Sequence, residues 1–222
     1  MRRPSVVMLV LALAAVPLLA RQLQTPTDWR WRTDGPATLV TGQDVPADAW
    51  RFVAMPPGWH VTTGPGALLY PAGRRAEGLF VLQAEIFLFP GESQQEYGLF
   101  LGGRNLEPEG ATPQYLAFVA RRDGQAAILK RGASGVEPLV TWKANDAVLT
   151  HTGAGTAKNV LRVEVSAADI AFAANGKDIA RIPRGELVTD GTFGFRVGKD
   201  VNLHISTLDV THRLAPVPIK ES

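Results

Sequence analysis

The chain has no cysteine among its 222 residues. Disulfides, thiolate metal sites, cysteine nucleophiles and a lipidated N-terminal cysteine are therefore excluded. It has little excess charge either: 23 Lys and Arg stand against 21 Asp and Glu, a formal net charge of +2. The basic pairs Arg74-Arg75, Arg121-Arg122 and Lys130-Arg131 have Glu77, Asp123 and Glu137 close by. Nucleic-acid binding needs a clustered basic face, so no nucleic-acid partner is expected. Beyond the first twenty residues there is no apolar run long enough to span a membrane, and no amphipathic helix of useful length. Ser93, Ser134, Ser166 and Ser206 lack a nucleophile-elbow context. His60, His151, His204 and His212 lack the close spacing of a zinc pair, and no EF-hand loop or acidic run is present. No cofactor is expected; a structural calcium stays open, with no ligands assignable.

What is present begins with an address. Arg2 and Arg3 precede the apolar run Val6–Leu19. As a helix that run spans roughly 21 Å, short of the hydrocarbon core but suited to a secretory h-region. Residues 1–20 are read as a signal peptide with cleavage after Ala20, and an uncleaved N-terminal anchor is the alternative. Loss of Arg2 and Arg3 leaves 21 basic against 21 acidic residues, so the slight positive excess belongs to the signal. The expected compartment is secreted or periplasmic, with no membrane span after cleavage. Residues 21–48, rich in Thr, Pro, Asp and Gly, read as an N-terminal leader with one early strand near Ala37–Thr41, and 214–222 as a C-terminal tail.

Between them, 49–213 read as strands and turns throughout. Asp123-Gly124, Asn175-Gly176 and Asp190-Gly191 are tight-turn dipeptides that tolerate positive φ. Along Leu79–Phe89, Phe80, Leu82, Ala84, Ile86 and Leu88 share one face, while Val81, Gln83, Glu85 and Phe87 share the other. Leu161, Val163 and Val165 alternate in the same way, as do Phe193, Phe195 and Val197. Turn signals every 8–12 residues or so predict an all-β, two-sheet antiparallel sandwich, with Phe80, Phe172 and Phe195 in one core.

Several phrases carry a resemblance: Gly58-Trp59-His60-Val61, Phe80-Val81-Leu82-Gln83-Ala84-Glu85-Ile86, Glu96-Tyr97-Gly98-Leu99-Phe100-Leu101-Gly102-Gly103, Asn159-Val160-Leu161-Arg162-Val163-Glu164-Val165 and Asp190-Gly191-Thr192-Phe193-Gly194-Phe195-Arg196-Val197. Their order, from about Trp50 to Thr211, resembles the concanavalin A-like lectin/glucanase superfamily. It looks most like the bacterial secreted 3-keto-disaccharide hydrolase-like domains and, more distantly, laminin G-like domains. The resemblance implies a jelly roll. The glucanases place E-x-D-x-x-E on one strand, whereas here the comparable strand has Glu85 as its one acid. The Asn-Ser-Gly phrase of the 3-keto-disaccharide hydrolase-like domains is also missing. Laminarinase-type chemistry, which needs paired carboxyls, is not expected.

Candidate ligand-binding residues are Glu85 and Gln83 on the mixed strand face, with Arg196 or Arg162 as charge partners. Arg104 and Asn105, after Gly102-Gly103, would project polar groups at the sheet rim. Tyr97, Tyr115 and Trp142 would offer flat apolar surface to a sugar ring. The plain alternatives are a salt-bridged strand face for Glu85, core burial for the aromatics and carbonyl capping for Arg104. Glu85 and His204 are the candidates for any catalysis; a hydrogen-bonded sheet histidine is the alternative for His204. Three functions follow from different classes: a non-catalytic module binding carbohydrate or another cell-surface ligand, an enzyme acting on 3-keto or other glycosides, and a structural or protein-interaction domain.

Overall fold

Alternation in the sequence becomes pleat in the computed structural model, which describes residues 23–107, 111–151 and 155–213. The expected signal peptide and C-terminal tail lie outside the described residues. Among the described residues fifteen strands occur in chain order: β1 (Trp29–Thr33), β2 (Thr38–Val40), β3 (Ala49–Ala54), β4 (Trp59–Thr63), β5 (Ala67–Pro71), β6 (Leu79–Leu88), β7 (Tyr97–Arg104), β8 (Gln114–Ala120), β9 (Gln125–Gly132), β10 (Gly135–Ala144), β11 (Ala157–Val165), β12 (Asp169–Ala174), β13 (Lys177–Pro183), β14 (Thr192–Val197) and β15 (Asn202–Arg213). They form a seven-stranded sheet, β1-β5-β14-β7-β8-β9-β10, and an eight-stranded sheet, β13-β12-β11-β6-β15-β4-β3-β2. Every pairing is antiparallel except β2 with β3, which runs parallel and departs from the expected pattern.

The segment read as a leader contains β2, at the early strand expected near Ala37–Thr41, and also β1, which was not expected. Trp29 alternates with Arg30, and its indole is 2% exposed in the core. It meets Phe52 at 5.3 Å, Trp59 at 4.7 Å and Phe195 at 5.8 Å between ring centroids, so this edge strand is anchored by an aromatic cluster.

In β6 the predicted inward residues Phe80 to Leu88 are all buried, while Val81, Gln83, Glu85 and Phe87 are half-exposed. Phe80, Phe172 and Phe195 join one core between the sheets, as expected. Burial of one such side chain contributes about 2–3 kcal/mol. Asn175 and Gly176 both have positive φ, at 51° and 78°, in the β12–β13 turn.

The core contains one polar seam. Asn159 on β11 is fully buried. Its Nδ2 donates to the Tyr97 hydroxyl at 3.0 Å and to the Leu149 carbonyl at 2.9 Å. Its Oδ1 accepts from Leu149 N and from Asn175 Nδ2, both at 2.8 Å. All four hydrogen-bonding positions of the amide are thus used.

The seven-stranded sheet is apolar on both faces. Residues in antiphase to the core, including Leu68, Tyr70, Phe100, Ala117 and Val119, form a second apolar cluster on its outer side. Leu106, in the connection after β7, covers part of that cluster, and its carbonyl accepts from the Tyr70 hydroxyl at 3.2 Å.

Candidate functional site

The outer face of the seven-stranded sheet is where side chains with binding chemistry converge. On β8 the phase that carries Ala117 and Val119 also carries Tyr115, and it continues to Arg121 just past the strand end. On β9 the same phase carries Ala127, Leu129 and Arg131. The antiparallel register sets Tyr115 directly opposite Arg131. From edge strand β10, Trp142 packs onto this apolar cluster. The Arg121 guanidinium lies 3.7 Å from the Trp142 ring centroid, a cation–π contact.

Arg196 on β14 holds the centre of this face. It donates to both carboxylate oxygens of Asp34 at 2.7 Å, and its Nε donates to Glu96 at 3.0 Å. Only 13% of its side chain is exposed. Burial by itself lowers the Arg196 pKa, but its hydrogen bonds to Asp34 and the nearby negative charges outweigh it, so the guanidinium is held more firmly protonated than usual. Burial also pushes the Tyr115 hydroxyl up, opposed in part by the Arg196 charge, so it stays a neutral donor.

Three depressions open on this face and meet at the same two residues. One of about 480 Å³ runs between Tyr115, Arg121, Arg131, Trp142 and Arg196. A second, about 430 Å³, lies between Tyr115, Arg131, Arg104 and the β13–β14 connection at Glu186–Val188. A third, about 710 Å³, is bounded by Arg32, Asp34, Tyr115 and Arg131. The Nε atoms of Arg121 and Arg131 are buried with no hydrogen-bond partner among the described residues. Two acids of the face, Asp34 and Glu96, are both engaged by Arg196. Arg32 is also engaged, by the carbonyls of Asn105, Glu107 and Ala111. Among the described residues, the charge left outside ion pairs in these depressions is Arg104, Arg121 and Arg131 against Glu186 at the rim, a basic excess.

Of the residues singled out in sequence, Tyr115, Trp142, Arg196 and Arg104 reach this face or its rim. Gly102, at φ +64°, lies against the backbone of Val188, where a Cβ would be 2.2 Å from the carbonyl oxygen. Asn105 follows in a positive-φ turn at 55° and offers its carbonyl to Arg32. Tyr97 does not reach the surface. It shares phase with Leu99 and Leu101, is fully buried and bonds Asn159, and burial raises its pKa.

Glu85 and Gln83 stand on the other sheet, on its outer face, and are not brought together with Tyr115 or Trp142. Arg196 is not a partner of Glu85, and Arg162 pairs with Glu164 instead. The partner of Glu85 is Lys158, at 2.5 Å, with Ser206 donating at 2.7 Å. These hydrogen bonds hold its carboxyl below the usual range, the reverse of what a general acid needs. His204 turns away from Leu203 and Ile205 as expected, with its Nε2 2.9 Å from the Pro57 carbonyl oxygen. Among the described residues no group of three or more His, Asp or Glu converges to hold a metal.

Sequence reading missed Arg121, Arg131, Asp34 and Glu96. The signal for the arginines was available in the phase: each ends an outward run that contains two small or apolar residues. The Asp34–Arg196–Glu96 group had no local signal, since its members lie 162 and 100 positions apart.

No family model matches the chain, and no curated protein sequence does. Solved structures do. A Bacillus subtilis protein of unknown function with a galectin-like fold aligns with a TM-score of 0.57 at 13% identity, over 83% of this chain and 89% of that one. Carbohydrate binding module CBM66 from Bacillus subtilis aligns with a TM-score of 0.55 at 11% identity, over 72% and 89%. A Bacteroides ovatus mixed linkage glucan GH16 in complex with a product aligns with a TM-score of 0.56 at 9% identity, over 85% and 97%. The fold is the concanavalin A-like jelly roll. At these identities the likeness speaks for the jelly roll alone, and the chemistry rests on the residues above.

Proposed function

We propose that this protein is an exported, non-catalytic carbohydrate-binding module whose ligand lies across the outer face of the seven-stranded sheet. The observation that carries this reading is the meeting of three depressions at Tyr115 and Arg131, beside Trp142. Flat rings supply apolar contact to the C–H faces of a sugar, and a few polar groups fix its hydroxyls. The unpaired charge on this face has a basic excess, Arg104, Arg121 and Arg131 against Glu186, which favours a glycan bearing carboxylate or sulfate groups, since guanidinium pairs with both. Two of the similar folds are described as a carbohydrate binding module and a GH16 protein with product, which agrees with a glycan ligand. A catalytic reading through Glu85 has less support, because that carboxylate is tied to Lys158 and Ser206 on the opposite sheet.

The test is a polysaccharide panel, neutral and acidic, against purified protein, with salt varied. Acidic glycans should bind best and weaken with salt. Tyr115→Ala and Trp142→Ala should each lower affinity about tenfold or more, equivalent to roughly 1.4 kcal/mol. Arg131→Gln should erase the preference for acidic over neutral chains. Absence of binding to any glycan, or binding indifferent to Tyr115 and Trp142, overturns the reading and favours a structural or protein-interaction role. Turnover of 3-keto glycosides that is lost in Glu85→Gln would restore the enzyme reading.

A further inference from the structure

A second polar depression lies on the far side of the sandwich, on the outer face of the eight-stranded sheet. It is open, about 790 Å³, and is lined by Arg51, His60, Thr62, Asn202 and the turn at Gln43-Asp44. The strand register assembles it: Arg51 on β3 lies opposite Thr62 on β4, and Thr62 lies opposite Asn202 on β15. Trp50 and Phe52 turn into the core, so Arg51 between them turns outward. Even so it is only 5% exposed. Its Nε is buried without a hydrogen-bond partner, and among the described residues it enters no ion pair. A guanidinium partly stripped of water in this way, with no counter-charge among the described residues, is destabilising to the fold, and an anion in the depression would relieve it.

The neighbouring imidazole is unsatisfied in a complementary way. The Thr62 hydroxyl donates to Asn202 Oδ1 at 3.2 Å and stands 3.3 Å from His60 Nε2. A hydroxyl that donates to the amide must accept from the ring, which places the His60 proton on Nε2. Nδ1 is then a bare acceptor, buried and without a partner. The depression thus brings together Arg51 and His60, each with a buried nitrogen that has no partner among the described residues. Asp44 at the rim is its one acid, and His204 lies beside His60 on β15.

We propose that this depression is a binding site for an oxyanion group, a sulfate, phosphate or carboxylate, held by Arg51 and by His60 once the ring has gained a proton. The anion accepts from the guanidinium, and its charge favours the imidazolium form of the neighbouring His60. Without a ligand the ring resists that proton. Burial, aided by the charges of Arg51 and His204 and opposed by Asn202, lowers the His60 pKa to about 4. The site is independent of the proposed sugar face, since the two lie on opposite sheets.

Imidazole NMR during a pH titration tests this, with the His60 signal assigned by its loss in His60→Gln. Sodium sulfate is compared with sodium chloride at equal ionic strength, and sodium glucuronate provides a carboxylate arm. Sulfate or glucuronate should raise the His60 midpoint by about one unit or more, which is tenfold tighter binding to the protonated ring. A shift with glucuronate alone assigns a carboxylate, and one with sulfate alone assigns a tetrahedral anion. Arg51→Gln should abolish the shift in protein that is folded by circular dichroism. Asp44→Asn, at the exposed rim, should produce it at lower anion concentration. Identical midpoints in all three salts, a shift that survives in Arg51→Gln, or no response to Asp44→Asn overturns the proposal.

Discussion

Arg196→Met removes the one cation that holds two carboxylates on the proposed binding face, and the consequences can be worked through partner by partner. Glu96 is 16% exposed in its side chain, so losing Nε strands a carboxylate that water reaches poorly. A charge-assisted hydrogen bond to such a group contributes about 1.5–3 kcal/mol. Asp34 is 50% exposed and recovers most of its hydration, so its share is about 1 kcal/mol at most. The methionine keeps the length and apolar contact of the arginine stem. The expected loss is therefore about 2–4 kcal/mol at neutral pH. With a urea slope of about 2 kcal/mol/M, the unfolding midpoint should fall by about 1–2 M. Glu96→Gln in the same chain should recover more than half of the loss. Urea unfolding followed by tryptophan fluorescence reads both. A loss under 1 kcal/mol, or no recovery in the double variant, would refute the account of this group as a buried charge network.

Asn159→Leu should cost about 3–5 kcal/mol, because it leaves the Tyr97 hydroxyl, both Leu149 backbone groups and the Asn175 amide short of partners; calorimetry measures it, and a loss below 1 kcal/mol contradicts the seam. Stability should fall as pH drops from about 7 to 4. His60, at about 4 in the fold against 6.5 unfolded, binds a proton first in the unfolded chain. Discounted for its partial exposure, its share is about 1–2 kcal/mol. Urea midpoints for His60→Gln should be flatter over that window, and an unchanged slope would show that His60 does not carry it.

The sheets were legible because period-2 alternation is a local property, and β6 and β14 display it plainly. β1 was missed although Trp29-Arg30-Trp31-Arg32 alternates, because the surrounding Thr, Pro and Asp disguised it as a leader. Phase also separates inner from outer residues, and Tyr97, in step with Leu99 and Leu101, takes the core-burial alternative. What phase cannot convey is which of two sheets an outward residue belongs to. Glu85 and Tyr115 are both outward, and only the strand order puts them on opposite sides of the molecule. Burial of Arg51 was illegible for a different reason: a charged residue between Trp50 and Phe52 reads as solvated until the Gln43-Asp44 turn is seen against the same depression.

An open sandwich has four boundary strands, here β1, β10, β13 and β2. Each boundary resists recruitment by a stray strand. β2 is three residues long. β10 carries Glu137, Pro138 and Lys143 with two breaks in register. β13 presents Lys177, Asp178, Arg181 and Pro183, and β1 places Arg30 and Arg32 on its exposed side. Proline withholds a donor, and charges make an added strand expensive to dehydrate. Among the described residues, then, the boundaries discourage edge-to-edge pairing, and what is left for a partner is the pair of sheet faces, with Arg121 and Arg131 on one and Arg51 on the other.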